Sequence, residues 1–400
     1  MTRYALALSA LVALLGLPSQ AHAVPRMTFM TGAPCSACHV NVQGGGMRTD
    51  LGWGSMSHTG MLDWGQLGVS WLDTRESNEL FPRVAVGLDD RIQMARLGRP
   101  VRVPTADGGS EVRTPDREVF FMQGQPYLSV EASDWLTLYG TWLATRQTLA
   151  EGELCAEDYP GQSCAEVQAI FRPGADLPLL RAGLLQPSIG LRHDDHTMLI
   201  RSDAGRPVIP AQYAEWGGEI TWQPRYWLQA DAGIFSNERL SRAIGDPSVV
   251  DSGGAAFAAR LRFAPTWQLG RSARMISWLG SSLYSSGGFL MVSSFAGIGL
   301  LDRASLILEH AHLRYGGNQD RQGENLSALF SLRIADWLYA NVRGETASTG
   351  EGEAARYARS IVAGLEYFPL PFIELRPEYR YTRTRSWEMA QYTMQLHVFY

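Results

Sequence analysis

Cys35-Ser36-Ala37-Cys38-His39 is the stretch whose residue types and spacing could do chemistry most directly. Two thiols three residues apart, followed at once by an imidazole, form the C-x-x-C-H attachment sequence of c-type haem. Each thiol can form a thioether to one edge of a porphyrin, and the imidazole then stands under the iron as proximal ligand. One covalent haem c is therefore the expected cofactor, with Cys35 and Cys38 as anchors and His39 as ligand. A short-loop redox disulfide is the alternative use of the same two thiols. Met47, Met56 and His58 lie within reach for the distal position. A methionine there would raise the potential relative to a second histidine. An open position would suit a catalytic, peroxidase-like haem. Gly44-Gly45-Gly46 permits a backbone approach that a Cβ would block, and Arg48 is a candidate partner for a haem propionate.

Two further clusters carry ligand chemistry. Arg192-His193-Asp194-Asp195-His196 follows an apolar stretch and places two imidazoles and two carboxylates within four residues. His193, Asp195 and His196 could capture iron or manganese, which suit that donor mix; a hydrogen-bonded loop latch is the plainer reading. Glu309, His310 and His312 share one predicted strand, whose inward parity the sequence leaves open. Cys155 and Cys164 are spaced for a local disulfide closing a small loop. No nucleophile motif, phosphate loop or zinc-hydrolase spacing occurs.

The elements that must position these residues are of two kinds. Ala5–Leu17 is the one long apolar run, preceded by Arg3 and followed by Ala21-His22-Ala23. A charged start, a short apolar core and a small-x-small site predict a secretory signal peptide over residues 1–23. Export permits disulfides. Nothing approaches the roughly 20 apolar residues of a membrane-spanning helix. The formal charge is −5, and all 35 basic residues are arginine, so no general basic surface speaks for nucleic acid.

From about Phe81 to Tyr400 the pattern has period 2. Leu326, Ala328, Phe330, Leu332 and Ile334 share one face, and Ser327, Ser331 and Arg333 the other. Ile373, Leu375, Tyr379 and Tyr381 likewise oppose Glu374, Arg376, Glu378 and Arg380. An apolar outside over a charged inside is the transmembrane β-barrel pattern; a soluble sheet with one wet face shows the same alternation. Turn signals with aromatic neighbours favour the barrel. They occur at Asp134-Trp135, near Asp176, at Arg225-Tyr226-Trp227, and near positions 268, 302, 336 and 370, the last four in steps of 34. Seven short turns separate eight hairpins, which predicts an all-β, antiparallel barrel of about sixteen strands over 81–400. Residues 24–80 are then a monohaem segment that plugs or caps the periplasmic end, because short turns face the periplasm in this class. The cluster at 192–196 should lie near the outer rim.

The chain end, Tyr392-Thr393-Met394-Gln395-Leu396-His397-Val398-Phe399-Tyr400, resembles the C-terminal strand signal of bacterial outer-membrane proteins. Together with Thr31-Gly32 and the Cys35–His39 motif, the architecture resembles the fused outer-membrane cytochrome–porins, best known as iron oxidases of iron-oxidising bacteria. That resemblance implies a haem in the barrel mouth and a place in the outer membrane of a diderm bacterium. It also implies single electrons passing between an extracellular redox donor or acceptor, Fe(II) among them, and a periplasmic carrier such as a soluble c-type cytochrome. By motif it carries functional roles to Cys35, Cys38 and His39 alone; Gly44–Arg48 departs from the corresponding family segment. The alternative is a diffusion porin with a haem-bearing sensor or plug, whose lumenal arginines would favour anions.

Overall fold

The computed structural model describes residues 25–31, 33–69, 78–98, 101–104, 110–113, 117–145, 160–174, 177–193, 195, 197–269, 274–300, 303–317, 320–350 and 355–400. The segment 1–23, Gly32, Cys155, Asp194 and His196 lie outside these residues.

Sixteen antiparallel strands close on themselves. In chain order they are β1 (Val84–Leu97), β2 (Arg117–Ser133), β3 (Leu136–Trp142, resuming at Ala144–Thr145), β4 (Ala165–Phe171), β5 (Leu179–Leu185) and β6 (Glu215–Arg225). Next come β7 (Leu228–Ser236), β8 (Ala255–Phe263, resuming at Thr266–Gln268), β9 (Arg274–Ser286), β10 (Phe289–Leu300) and β11 (Ala304–Tyr315). The wall ends with β12 (Arg321–Ala335), β13 (Leu338–Thr349), β14 (Arg356–Leu370), β15 (Ile373–Thr384) and β16 (Glu388–Phe399). Each strand pairs with its sequence neighbours, and β1 pairs with both β2 and β16, so no edge remains. Closure matters in a bilayer, where an unpaired backbone group has no water to turn to. The break in β8 falls at Ala264-Pro265, where proline cannot donate to the ladder.

The side-chain alternation has the sign that a membrane demands. Phe330 is 44% exposed and Ser331 fully buried; Val342 is 46% exposed and Tyr339 fully buried. Arg181, Glu219, Glu309 and Glu374 all face inward and are buried. Charges within and Leu, Ile, Val and Phe without exclude a soluble sheet, whose wet face would be the charged one. Strands meet across gaps at 134–135, 172–178, 226–227, 269–273, 301–303, 336–337 and 371–372 at one end, the positions of the turn signals. Trp135, Tyr226 and Trp267 stay exposed at that end, as an interfacial girdle requires.

The lumen is filled. Three short helices enter from the turn end: α1 (Pro25–Thr31), α2 (Cys35–Cys38) and α3 (Asp50–Ser57). α1 seats where β10 has glycine on its inward face: a Cβ on Gly297 would lie 2.1 Å from the Phe29 ring, and one on Gly299 would lie 1.8 Å from the Phe29 carbonyl oxygen. From the other end the 186–214 connection folds down instead of standing outside. Its Ile189, Ile200, Val208 and Ile209 join Leu240 and Ile244 of α4 (Glu238–Ile244) in a core inside the barrel. The expectation that residues 192–196 lie near the outer rim is therefore corrected for Arg192, His193 and Asp195, which line lumenal cavities; Asp194 and His196 lie outside the described residues. That loop carries too many aliphatic side chains to stay in water, and the lumen is the nearest place to bury them.

Candidate functional site

The C-x-x-C-H motif folds as a single helical turn. Pro34 at its N-cap is extended, with φ −65° and ψ 154°, and His39 leaves the turn extended, with φ −130°. The four-residue turn places Cys35 and Cys38, both buried, one turn apart on one face. His39 then bridges Arg48 as a two-residue ladder, which folds residues 40–47 back over the motif. That fold-back runs through Gly44, Gly45 and Gly46 at φ +88°, +72° and +64°, a left-handed run closed to ordinary residues. A Cβ on Gly44 would touch Cys35 Sγ at 3.4 Å, so the loop backbone lies directly on the thiol. His39 Nδ1 is 3.3 Å from the Gly46 carbonyl oxygen. Such a bond to the second ring nitrogen fixes the ring and directs Nε2 to a metal. α3 is capped by the Thr49 hydroxyl, which accepts from Gly52 N at 3.3 Å and donates to the Ala37 carbonyl at 2.6 Å. Gly52 lets α3 pack on Cys38, since a Cβ there would lie 2.0 Å from the Cys38 oxygen.

A cavity of about 110 Å³ lies beside this turn, within the barrel. The plug contributes Met27, Cys35, His39, Arg48 and Met56, and the wall contributes Phe368, Arg376, His397 and Phe399. Its faces are apolar and its edges cationic. Arg48 stacks on Phe399 with its guanidinium carbon 4.4 Å from the ring centre. Burial pushes that guanidinium down from its ordinary range, with Asp89 opposing. Arg192, from the infolded loop, donates to Glu166 at 3.2 Å, while its Nη1 is buried without a hydrogen-bond partner. Burial pushes the Cys38 thiol up, with Cys35 adding to the shift and Arg48 opposing it. Two adjacent cysteines, an oriented imidazole, apolar faces and an orphaned guanidinium N–H fit a flat macrocycle bearing carboxylates, so the donor set fits a c-type haem.

The structure sorts the distal candidates. Met56 lines the cavity. Met47 is fully buried elsewhere, against Tyr127, Tyr139 and Ile170. His58 is exposed at the end of α3. Sequence reasoning missed His397, which stands in the cavity with Nδ1 2.8 Å from Glu374 and Nε2 3.2 Å from Asp89. Its signal was parity, because Gln395, His397 and Phe399 alternate with outward Leu396 and Val398 along β16.

The second ligand cluster sits in the lumen. His193 Nε2 is 2.7 Å from Glu309, and Asp195 lies 2.6 Å from Arg343 and 3.4 Å from Arg380. Both line a second cavity of about 90 Å³, which shares Arg192 and Arg376 with the first. Among the described residues, no three His, Cys, Asp or Glu side chains are arranged around a metal position. His310 and His312 face outward, both bonded to Glu324 at 2.5 and 2.6 Å. Cys164 is disulfide-bonded.

No family model and no curated protein matches the chain. Solved structures do match. The outer membrane channel DcaP of Acinetobacter baumannii aligns at TM-score 0.51 and 9% identity, over 79% of this chain and 97% of that one. OprB of Pseudomonas putida at high pH aligns at TM-score 0.49 and 9% identity over 84% and 97%. The anion-selective porin from Comamonas acidovorans aligns at TM-score 0.47 and 10% identity over 79% and 99%. At such identity the likeness speaks for fold alone, and DcaP carries it: the chain has the sixteen-stranded fold of an outer-membrane channel.

Proposed function

We propose that this barrel resides in the outer membrane of a diderm bacterium and shelters one covalent haem c in its lumen. There it passes single electrons between an extracellular donor or acceptor and a periplasmic carrier. The observation that carries this reading is the C-x-x-C-H turn inside the barrel, beside an apolar cavity edged by arginines. Cys35 and Cys38 would hold the group by thioether bonds and His39 would ligate its iron; of the distal candidates, Met56 is the one that lines the cavity. Arg48 and Arg192 would meet its carboxylates. Bound there, it supplies one-electron ferric/ferrous chemistry, while the protein supplies position, insulation and charge. Phe368 and Phe399 exclude water from the cavity, and the wall keeps lipid from it. The second cavity, with His193 and Asp195, is the approach from outside for Fe(II) or another small donor.

A second reading, a diffusion channel with a regulatory plug, draws on the barrel fold it shares with channels. One preparation separates the two. The exported protein, produced with c-type haem maturation, is assayed for covalent haem and then mixed with Fe(II) while haem absorbance is followed by stopped flow. The conduit reading expects one haem per chain, lost in Cys35→Ala/Cys38→Ala, and reduction within seconds. Absence of covalent haem sinks it. A haem that dithionite reduces and Fe(II) does not removes Fe(II) as donor.

A further inference from the structure

His397 stands in the wall of the first cavity, and the electron-transfer reading gives it no task. It is buried and packs on Phe399, with ring centres 4.8 Å apart. Its two nitrogens are held differently. Nδ1 makes a 2.8 Å hydrogen bond to Glu374, which fixes a proton there because a carboxylate only accepts. Nε2 lies 3.2 Å from Asp89 Oδ1 but is not aligned for a hydrogen bond. Nε2 is therefore the atom at which a second proton is held or lost.

The charges around the ring decide what that proton does. From β1, Arg91 forks Asp89, with Nε at 2.9 Å and Nη2 at 3.1 Å, and Gln123 of β2 donates to Asp89 at 3.0 Å. From β15, Arg376 forks Glu374 at 3.0 and 3.3 Å, and it also meets Glu366 of β14 at 3.5 Å. From the plug, Arg48 lies over Phe399. Arg192, at the cavity edge, is matched by Glu166. Tyr127 of β2 lines the cavity as a phenol. Asp90 pairs in register with outward-facing Val398 and points away. Asp89, Glu374 and Glu366 are thus balanced by Arg91, Arg376 and Arg48, and the Nε2 proton is the charge in excess. Arg91 is also directly opposite His397 in the ladder, where like charges repel. Guanidiniums do not give up their protons. The imidazole is the group of this cluster that can answer a new positive charge in a buried site, where such charges interact strongly.

We propose that His397 is the redox-linked proton site of this conduit, a proposal that rests on the haem reading above. With haem bound in the cavity, each electron passed to the periplasmic carrier leaves one more positive charge beside the cluster. His397 answers by breaking its Nε2–H bond. The proton leaves by way of Asp89, whose side chain is 17% exposed against 4% for Glu374. When the next electron arrives from the outer donor, Nε2 takes a proton back from water. One proton is exchanged per electron, and no other reactant is consumed. Loss of the proton favours the oxidised state, so the midpoint potential falls as pH rises.

Spectroelectrochemical titration of the intact, haem-loaded protein across about pH 5 to 8 tests this. The expected slope approaches about 59 mV per pH unit, the one-electron equivalent of a tenfold change in proton concentration. His397→Gln should flatten the slope, and heat-modifiable gel mobility shows whether it folds. Asp89→Asn keeps the imidazole but removes a carboxylate facing it, and should move the sloping window to lower pH. A flat wild-type profile, a slope that a folded His397→Gln retains, or a window that Asp89→Asn leaves in place would each overturn the proposal while the haem reading stands. A preparation with no covalent haem is a different result, which sinks that reading and this proposal with it.

Discussion

At the scale of single residues, the plug is organised around atoms that are missing. Gly45 takes φ +72°, and a Cβ on it would meet Arg192 Nε at 2.8 Å. Gly45→Ala therefore combines left-handed strain with a displaced guanidinium, and it should destabilise the plug by about 1–3 kcal/mol. Gly54, inside α3, has nothing within 4 Å of its Cβ position. Gly54→Ala should stabilise by about 0.5–1 kcal/mol through helix propensity alone. Urea titrations followed by tryptophan fluorescence read both, and a shared sign would refute the argument. Arg48 offers a test of charge. A cation beside the cavity favours the reduced, less positive state of a bound haem, so Arg48→Gln should lower the midpoint potential by on the order of tens of millivolts. Spectroelectrochemical titration reads that shift. An unchanged potential would place Arg48 outside the field of the cofactor.

At the scale of elements, the wall was legible because a strand has one degree of freedom that sequence exposes. Parity alone places Ser331 and Arg333 inside and Phe330 and Ile334 outside, and the structure agrees at each. The turn signals mark the gaps between strands for the same reason, since few residues tolerate a two-residue reversal. The infolded loop was not legible. Loops lack a period, so the aliphatic content of residues 186–214 was a burden with no address. Its resting place depends on partners far away in sequence: Glu309 for His193, Arg343 for Asp195, and Glu345 for the Leu199 N–H. His397 was hidden differently, in a strand whose termination signal drew attention to its apolar members. The seat of α1 is a further long-range feature, visible only once Gly297 and Gly299 are known to face inward. Gly299→Leu should leave the wall folded and unseat the plug. The expected outcome is normal heat-modifiable mobility with trypsin cleavage at Arg48; protection equal to wild type would show that α1 does not depend on that gap.

At the scale of the whole molecule, the question is what the lumen does when the plug is absent from its seat. Counting arginines alone argues for an anion-preferring pore, but their partners change the result. Arg181 pairs with Glu219 where both are fully buried, Arg260 with Asp231 at 2.9 Å, Arg376 with Glu374 at 3.0 Å, and Arg380 with Glu378 at 2.9 Å. Guanidinium and carboxylate so alternate around the wall that little net field remains to sort ions by sign. The plug is also tied to this lattice. Asn41 Oδ1 accepts from Arg181 at 3.1 Å, and the Gln43 amide lies against Ser188 and the same Arg181–Glu219 pair. Wild-type protein in planar bilayers should therefore be nearly silent, and Gly299→Leu should conduct with a reversal potential close to zero in a salt gradient. A wild-type conductance equal to that of Gly299→Leu would mean the helices do not occlude the barrel. A strong anion reversal potential would mean the pairs open when the plug leaves, releasing the arginines to face the pore.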